Sequence, residues 1–256
     1  MIFDQARVEW LLEKLGGQEE PLGLFFSDRR PEGGLGPDCD RPHDCVMKYV
    51  RLARTKKVPG WVSREKFGCQ GVRSQAGFLL PPPEAMAAFV TSGFPGQEGE
   101  RYLPEPASMH RFWAAQDLQP APADYCVFKP LSQFKDGEEP LVVVFFARPE
   151  VLCGLIHLAY YALDDHAAVQ LPFGPGCSGF IAWPLHYLHR GEDKAVLGGT
   201  DISCRPYLET DELSFAAPAP VFAKMLSKGP ESFLSGHSWP KVEKKIALSR
   251  RTWSRN

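Results

Sequence analysis

Hydrophobic positions recur at helical spacing in several stretches of the chain. In the first, apolar side chains from Val8 to Leu15 lie on one face of a predicted helix over 4–15, which the Gly16–Gly17 pair would end. Similar patterns predict further helices over 42–57, 83–91, 108–116, 150–163, 220–228 and 239–250.

Runs rich in β-branched and aromatic residues predict strands at 21–27, 125–128 and 141–147, with further candidates at 195–202 and 213–216. Helices and strands do not alternate strictly along the chain, and we find no internal repeat. The pattern therefore predicts an α+β fold in which helices cover a mixed sheet. We expect one domain over residues 1–256, and we consider a division into two pseudo-subdomains near residue 140.

Composition narrows the classes of function. The 256 residues are 44% hydrophobic, and 29 basic residues nearly balance 31 acidic ones, so no global field would attract nucleic acid or an anionic membrane. The first residues lack a secretory signal, and Arg148, Pro149 and Glu150 interrupt the most apolar stretch, 141–163. We expect a cytoplasmic protein with no nucleic-acid or membrane partner, and its oligomeric state stays open.

Four of the seven cysteines share one kind of setting. Cys45 falls in the first turn of a predicted helix, where the positive helix end favours a thiolate, and Cys69, Cys177 and Cys204 fall in turns, the first two beside glycines. Glycine lets backbone N–H groups approach sulfur, as around iron-sulfur clusters. The leading hypothesis is that these four thiols converge on an iron-sulfur cluster or another metal, for electron transfer or redox sensing with a redox partner.

Two other functions remain open, because the chain lacks the compact C-x-x-C pairs of common metal sites. In one, the protein is metal-free and binds a small anionic ligand. The residues expected to contact this ligand are Arg73, Arg205 and the glycines Gly71, Gly176 and Gly179. In the first hypothesis the same residues would surround the metal centre. In the other, one activated cysteine serves a thiol-dependent enzyme.

Other candidate features have simpler interpretations. Cys126 and Cys153 lie among bulky apolar neighbours and are predicted to fill the core. His43 could act as a base toward Cys45, but a helix cap is the simpler role, and His186 with His189 lacks the carboxylates of a metal site. The stretch 174–179 matches G-x-G-x-x-G, but Pro175 and Pro184 disfavour a dinucleotide site.

The order of the short motifs resembles a known family. The motifs are PLGLFF at 21–26, Cys45, GCQG at 68–71, LVVVFFARP at 141–149, GC at 176–177, Cys204 and TDELSFAAP at 210–218. This order resembles domain-of-unknown-function family 169, also called ArCR, over about residues 8–235. The resemblance implies that Cys45, Cys69, Cys177 and Cys204 occupy the pattern positions. Cys204 departs from the pattern because Ser203 and Arg205 flank it, Cys39 is an additional feature, and the resemblance implies no reaction.

Overall fold

The computed structural model describes residues 3–16, 19–37 and 44–253. Within this part the α-helices are α1 (Gln5–Lys14), α2 (Val46–Lys56), α3 (Gln70–Gln75), α4 (Glu84–Val90), α5 (Pro106–Gln116), α6 (Pro149–Leu163), α7 (Ala182–Arg190), α8 (Ala219–Lys228) and α9 (Ser238–Trp253). The strands are β1 (Leu22–Ser27), β2 (Gly60–Ser63), β3 (Gly93–Phe94), β4 (Gln97–Glu98), β5 (Tyr125–Pro130), β6 (Val142–Ala147), β7 (Val169–Gln170), β8 (Ala195–Gly198) and β9 (Leu213–Pro218). Cys39 and His43 lie outside the described residues.

Seven strands form one mixed sheet in the order β2-β5-β1-β6-β9-β8-β7. Its neighbours run antiparallel except for β7 and β8, which are parallel, while β3 and β4 form a separate hairpin. This architecture confirms the predicted α+β fold with a mixed sheet. The pairing of β1 with β6 joins segments before and after residue 140 in the same sheet; the suggested division there stays a prediction.

Both faces of the sheet are covered, which explains the continuous apolar run of β6. Val143 and Phe145 pack into one core with α1, α6 and α8. Val144 and Phe146 point to the other face and pack into a second core with α2 and α7. Because successive strand residues point to opposite faces, a strand between two cores is apolar at every position. Of the four candidate cysteines, Cys177 and Cys204 are buried in the second core, and Cys45 and Cys69 pack against it.

Helix α6 differs from the sequence-based expectation. It buries one face, which includes Leu152, Leu155 and Leu158, against the sheet. Cys153 and His157 lie on another face, so Cys153 is exposed and the prediction that it fills the core was wrong. A helix that is apolar nearly all round gives no clear signal of which side faces solvent. Cys126 in β5 is fully buried, as predicted.

Within the three described ranges, no helix combines the length and the apolar character that crossing a membrane requires.

Candidate functional site

Two of the candidate cysteines stand directly before helices. Cys45 is the N-cap residue of α2, and Cys69 is the N-cap residue of α3. The Cys69 Sγ atom accepts a hydrogen bond from the Val72 N–H group at 3.5 Å. Both side chains are half-buried.

The other two cysteines are buried in short 3₁₀ helices, Cys177 in Gly176–Gly179 and Cys204 in Ile202–Tyr207. The Asp201 carboxylate joins these segments, because its Oδ2 atom accepts a hydrogen bond from the Gly176 N–H group at 2.7 Å and its Oδ1 atom accepts one from the Ser203 N–H group at 2.9 Å. The Cys204 thiol donates to the Asp201 carbonyl oxygen at 3.1 Å. One aspartate therefore fixes both segments.

The fold brings the four cysteines into one region. Helices α2 and α3 and the 3₁₀ helix Ile202–Tyr207 all contact the 3₁₀ helix Gly176–Gly179. The contact is close, because a Cβ atom on Gly176 would lie 2.9 Å from the Cys204 Sγ atom. The thiols also influence one another electrostatically: Cys69 and Cys204 raise the pKa of Cys45, and Cys69 and Cys45 raise the pKa of Cys177. Folding thus collects sulfur atoms from four distant segments.

A metal centre does not follow from this proximity. Across residues 3–16, 19–37 and 44–253, no group of three or more His, Cys, Asp or Glu side chains has an arrangement that could hold a metal ion. The six cysteines in these ranges are free thiols. The described geometry therefore contains no formed metal site for the predicted iron-sulfur or redox role.

Burial keeps the thiols neutral. It is the largest influence on the pKa of all four, and it raises the pKa of Cys45 to about 12 and that of Cys204 to about 11. The Met47 N–H group at the start of α2 lowers the pKa of Cys45, as the sequence suggested, but desolvation has the larger effect. At neutral pH these side chains are weakly polar thiols.

A large cavity opens beside two of the thiols. Its volume is about 1360 Å³, and its walls come mainly from segments 65–113 and 173–207. Cys45 and Cys69 line it, whereas Cys177 and Cys204 do not. The lining is mostly apolar and includes several aromatic side chains, among them Phe67, Phe89, Phe94, Phe112, Trp113 and Phe173. The cavity is therefore suited to an apolar molecule larger than a metabolite of a few atoms.

Three lining residues carry buried hydrogen-bond donors that no described residue satisfies. They are the Arg73 Nε, Gln75 Nε2 and Trp113 Nε1 atoms. Leaving a buried donor unpaired costs about 1–3 kcal/mol, so native proteins do so rarely. Sequence reasoning singled out Arg73, but it missed Gln75 and Trp113, because no local pattern distinguishes these residues from core-packing ones.

Three further candidate residues, Arg205, Gly176 and Gly179, make contacts that hold neighbouring segments of the fold together. The Arg205 guanidinium donates to the carbonyl oxygens of Gly199, Glu209, Thr210 and Glu212. Gly176 gives its N–H group to Asp201, and Gly179 packs closely against Gly198. In contrast, Gly71 lines the cavity, and its N–H group lowers the pKa of Cys69. Of the two predicted anion-binding arginines, only Arg73 lines the cavity.

Acidic groups occupy another part of the wall. Burial and the charge of Asp201 raise the pKa of Glu100, and both residues line the cavity. No ion pair within the described residues joins Arg73 to a carboxylate. Arg73 and these acids are thus separate features of a wall that Glu65 and Lys66 also line.

Comparison with protein-family models identifies a family for this chain. The model of domain-of-unknown-function family 169, described as uncharacterised ArCR, matches residues 11–228. No curated protein and no solved structure matches the chain.

Proposed function

The chain belongs to domain-of-unknown-function family 169, and we propose that it is a binding protein whose cavity takes up a small molecule beside the thiols of Cys45 and Cys69. The observation that carries the proposal is the cavity of about 1360 Å³, whose mostly apolar lining includes several aromatic side chains. Ligand sites are typically concave, mostly apolar and equipped with a few polar groups that orient the ligand.

The state of the thiols supports binding over nucleophilic catalysis. A reactive cysteine needs a lowered pKa, which usually comes from a neighbouring cation or a base. Burial instead raises the pKa of Cys45 and of Cys69. As neutral thiols they present soft, polarisable surface to an apolar ligand.

Substitution at Gly71 tests whether the cavity binds a ligand. A Cβ atom there would meet only the Cys69 Sγ atom, at an ordinary 3.7 Å, and because Gly71 lines the cavity, a large side chain at this position should occupy part of the space that a ligand needs. We expect the neutral dye Nile red to bind the wild type saturably and Gly71→Trp at least about tenfold more weakly, which corresponds to about 1.4 kcal/mol. Fluorescence titration gives the two dissociation constants.

Gly71→Ala is the matched control, since it adds a Cβ atom at the same place without filling the cavity. It should bind the dye as the wild type does, and thermal unfolding should show that both variants fold. Equal affinity in Gly71→Trp and Gly71→Ala would mean that the dye binds elsewhere, and the proposal would fail.

A second candidate function is the metal or iron-sulfur site that the sequence suggested, with Cys45, Cys69, Cys177 and Cys204 as ligands. The gathering of four cysteines from distant segments favours it. Four thiolates would supply a complete ligand set for a cluster serving electron transfer or redox sensing.

This candidate predicts that protein purified without oxygen contains iron and sulfide, or zinc. Cys177→Ser should then lower the metal content, because it removes a ligand. Cys126→Ser is the control: Cys126 is also buried in the second core, but it is not one of the four. Metal analysis and an absorption spectrum provide the measurement, and a colourless, metal-free wild type would eliminate this candidate while leaving the binding proposal intact.

A further inference from the structure

Charge is distributed unevenly along the chain. Helix α9 contains five basic residues and one acidic residue, which leaves 24 basic and 30 acidic residues in the rest of the sequence. The near balance over the whole chain, on which the expectation of no membrane partner rests, therefore combines a basic helix with a net acidic remainder. A local excess of one sign of charge attracts a partner of the opposite sign even where the net charge is small.

One side of α9 faces the body of the protein. The Trp239 Nε1 atom donates to the Lys14 carbonyl oxygen at 2.7 Å, and Arg250 pairs with Glu150 of α6. Trp239 and Arg250 are separated by close to three helical turns, so they lie on the same side of α9. That side also includes two partly buried residues, Glu243 and Ile246. The one acidic residue of α9 is therefore on the side that faces the body.

The opposite side of α9 faces solvent and carries cations around a leucine. Leu248 is 60% exposed. The basic residues around it lie three, four or seven positions away, spacings that place side chains on the same side of a helix; they are Lys241, Lys244, Lys245 and Arg251. All four are exposed, and none forms an ion pair with another described residue. These five residues are called the basic face of α9.

We propose that the basic face of α9 binds a membrane surface that contains anionic phospholipids. A cluster of four or more lysines and arginines on an amphipathic helix is attracted to the negative potential of such a surface. A helix bound in this way lies in the plane of the interface. The proposal does not depend on the cavity, and α9 lies beyond the residues 11–228 that the family model matches.

The exposed leucine favours a lipid surface over a nucleic acid. Both partners present phosphate groups, so the four cations alone do not distinguish them. Leu248 lies in the centre of the basic face, where a bilayer offers it the boundary between headgroups and acyl chains while the longer cationic side chains reach the phosphates. Val242, which is 41% exposed, adds apolar surface on an adjoining side of the helix. A sugar-phosphate backbone offers these side chains no comparable apolar contact.

Co-sedimentation with lipid vesicles tests the proposal. We expect the full chain at low salt to bind vesicles of equal parts phosphatidylcholine and phosphatidylglycerol, and not to bind vesicles of phosphatidylcholine alone. Lys244→Gln combined with Lys245→Gln should weaken binding at least about tenfold, because each cation near an anionic surface contributes about fivefold. Added salt should weaken binding of the wild type, because it screens the attraction.

Lys56→Gln combined with Lys135→Gln is the matched control. It removes the same charge from two exposed lysines elsewhere on the surface, and it should bind the vesicles as the wild type does. Thermal unfolding should show that both double variants fold. No binding to the anionic vesicles, or equal affinity of the two double variants, would overturn the proposal.

Leu248→Ser separates a lipid surface from other polyanions. It keeps every cation of α9 but removes the apolar side chain, so it should weaken vesicle binding severalfold. Unchanged affinity in this variant, or tighter binding of the wild type to a DNA duplex than to the anionic vesicles, would overturn the assignment to lipid.

Discussion

Iodoacetamide at neutral pH is expected to alkylate Cys153 readily and to leave Cys45 almost unmodified. Cys153 is exposed on α6, whereas burial raises the pKa of Cys45 from 9.0 to about 12. Three pKa units lower the thiolate fraction about 1000-fold, and the thiolate is the species that reacts. Cys69, Cys177 and Cys204 should resist for the same reason.

Peptide mass spectrometry over a time course measures the rate at each site. Fragmentation is needed for Cys45, because it shares a tryptic peptide with Cys39. The same reaction in guanidinium chloride is the control, and there all sites should react at similar rates. Rapid, selective alkylation of native Cys45 or Cys69 would contradict the expectation and favour the thiol-dependent enzyme.

The sequence predicted the elements with strong local patterns. The apolar run over 141–147 became β6, and the helical pattern over 4–15 became α1 with Asp4 as its N-cap. The sequence did not predict β2 or α3, which have only four and six residues and contain glycine. Elements this short are too short to show a period of hydrophobic positions, so their formation depends on tertiary contacts. Strand β2, for example, forms because Trp61 and Val62 pair with β5.

For the candidate site, glycines next to cysteines in the sequence pointed to thiols that the fold brings close together. The pattern could not identify the cavity, because its walls come from segments more than 60 residues apart in sequence, such as Cys45 and Phe112. Nor could it identify the buried donors. Whether Gln75 or Trp113 lacks a partner depends on every side chain around it. The net effect on the Cys45 pKa was equally inaccessible, since it depends on how deeply α2 is buried.

A buried ion pair holds the helix that follows Cys45 against the sheet. The Arg54 guanidinium of α2 donates to both carboxylate oxygens of Glu212, at 2.7 and 3.0 Å, and each side chain is only 11% exposed. Arg54 also lies over the Phe146 ring of β6, 4.9 Å from its centre. The pair therefore joins α2 to the segment before β9.

Glu212→Gln is expected to lower the free energy of unfolding by about 2 kcal/mol, because it leaves the largely buried Arg54 charge with Glu19, which is half exposed, as its remaining carboxylate partner. Chemical denaturation at neutral pH measures the loss. Glu209→Gln is the matched control: Glu209 pairs with Arg51 on the surface, at 59% side-chain exposure, so its loss should cost at most about 1 kcal/mol. Equal effects of the two substitutions would contradict a special role for the buried pair.

The same pair predicts a dependence on pH. Burial alone would raise the pKa of Glu212, but the hydrogen bonds and charge of Arg54 outweigh burial and lower the pKa below its usual 4.5. A carboxyl group whose pKa is lower in the folded state stabilises the fold above its unfolded pKa, and this contribution disappears as pH falls through the folded value. The difference in unfolding free energy between the wild type and Glu212→Gln should therefore be constant near neutral pH and should shrink below about pH 4.5. A difference that stayed constant down to the acid-unfolding transition would show that the Glu212 carboxylate is not stabilised by Arg54.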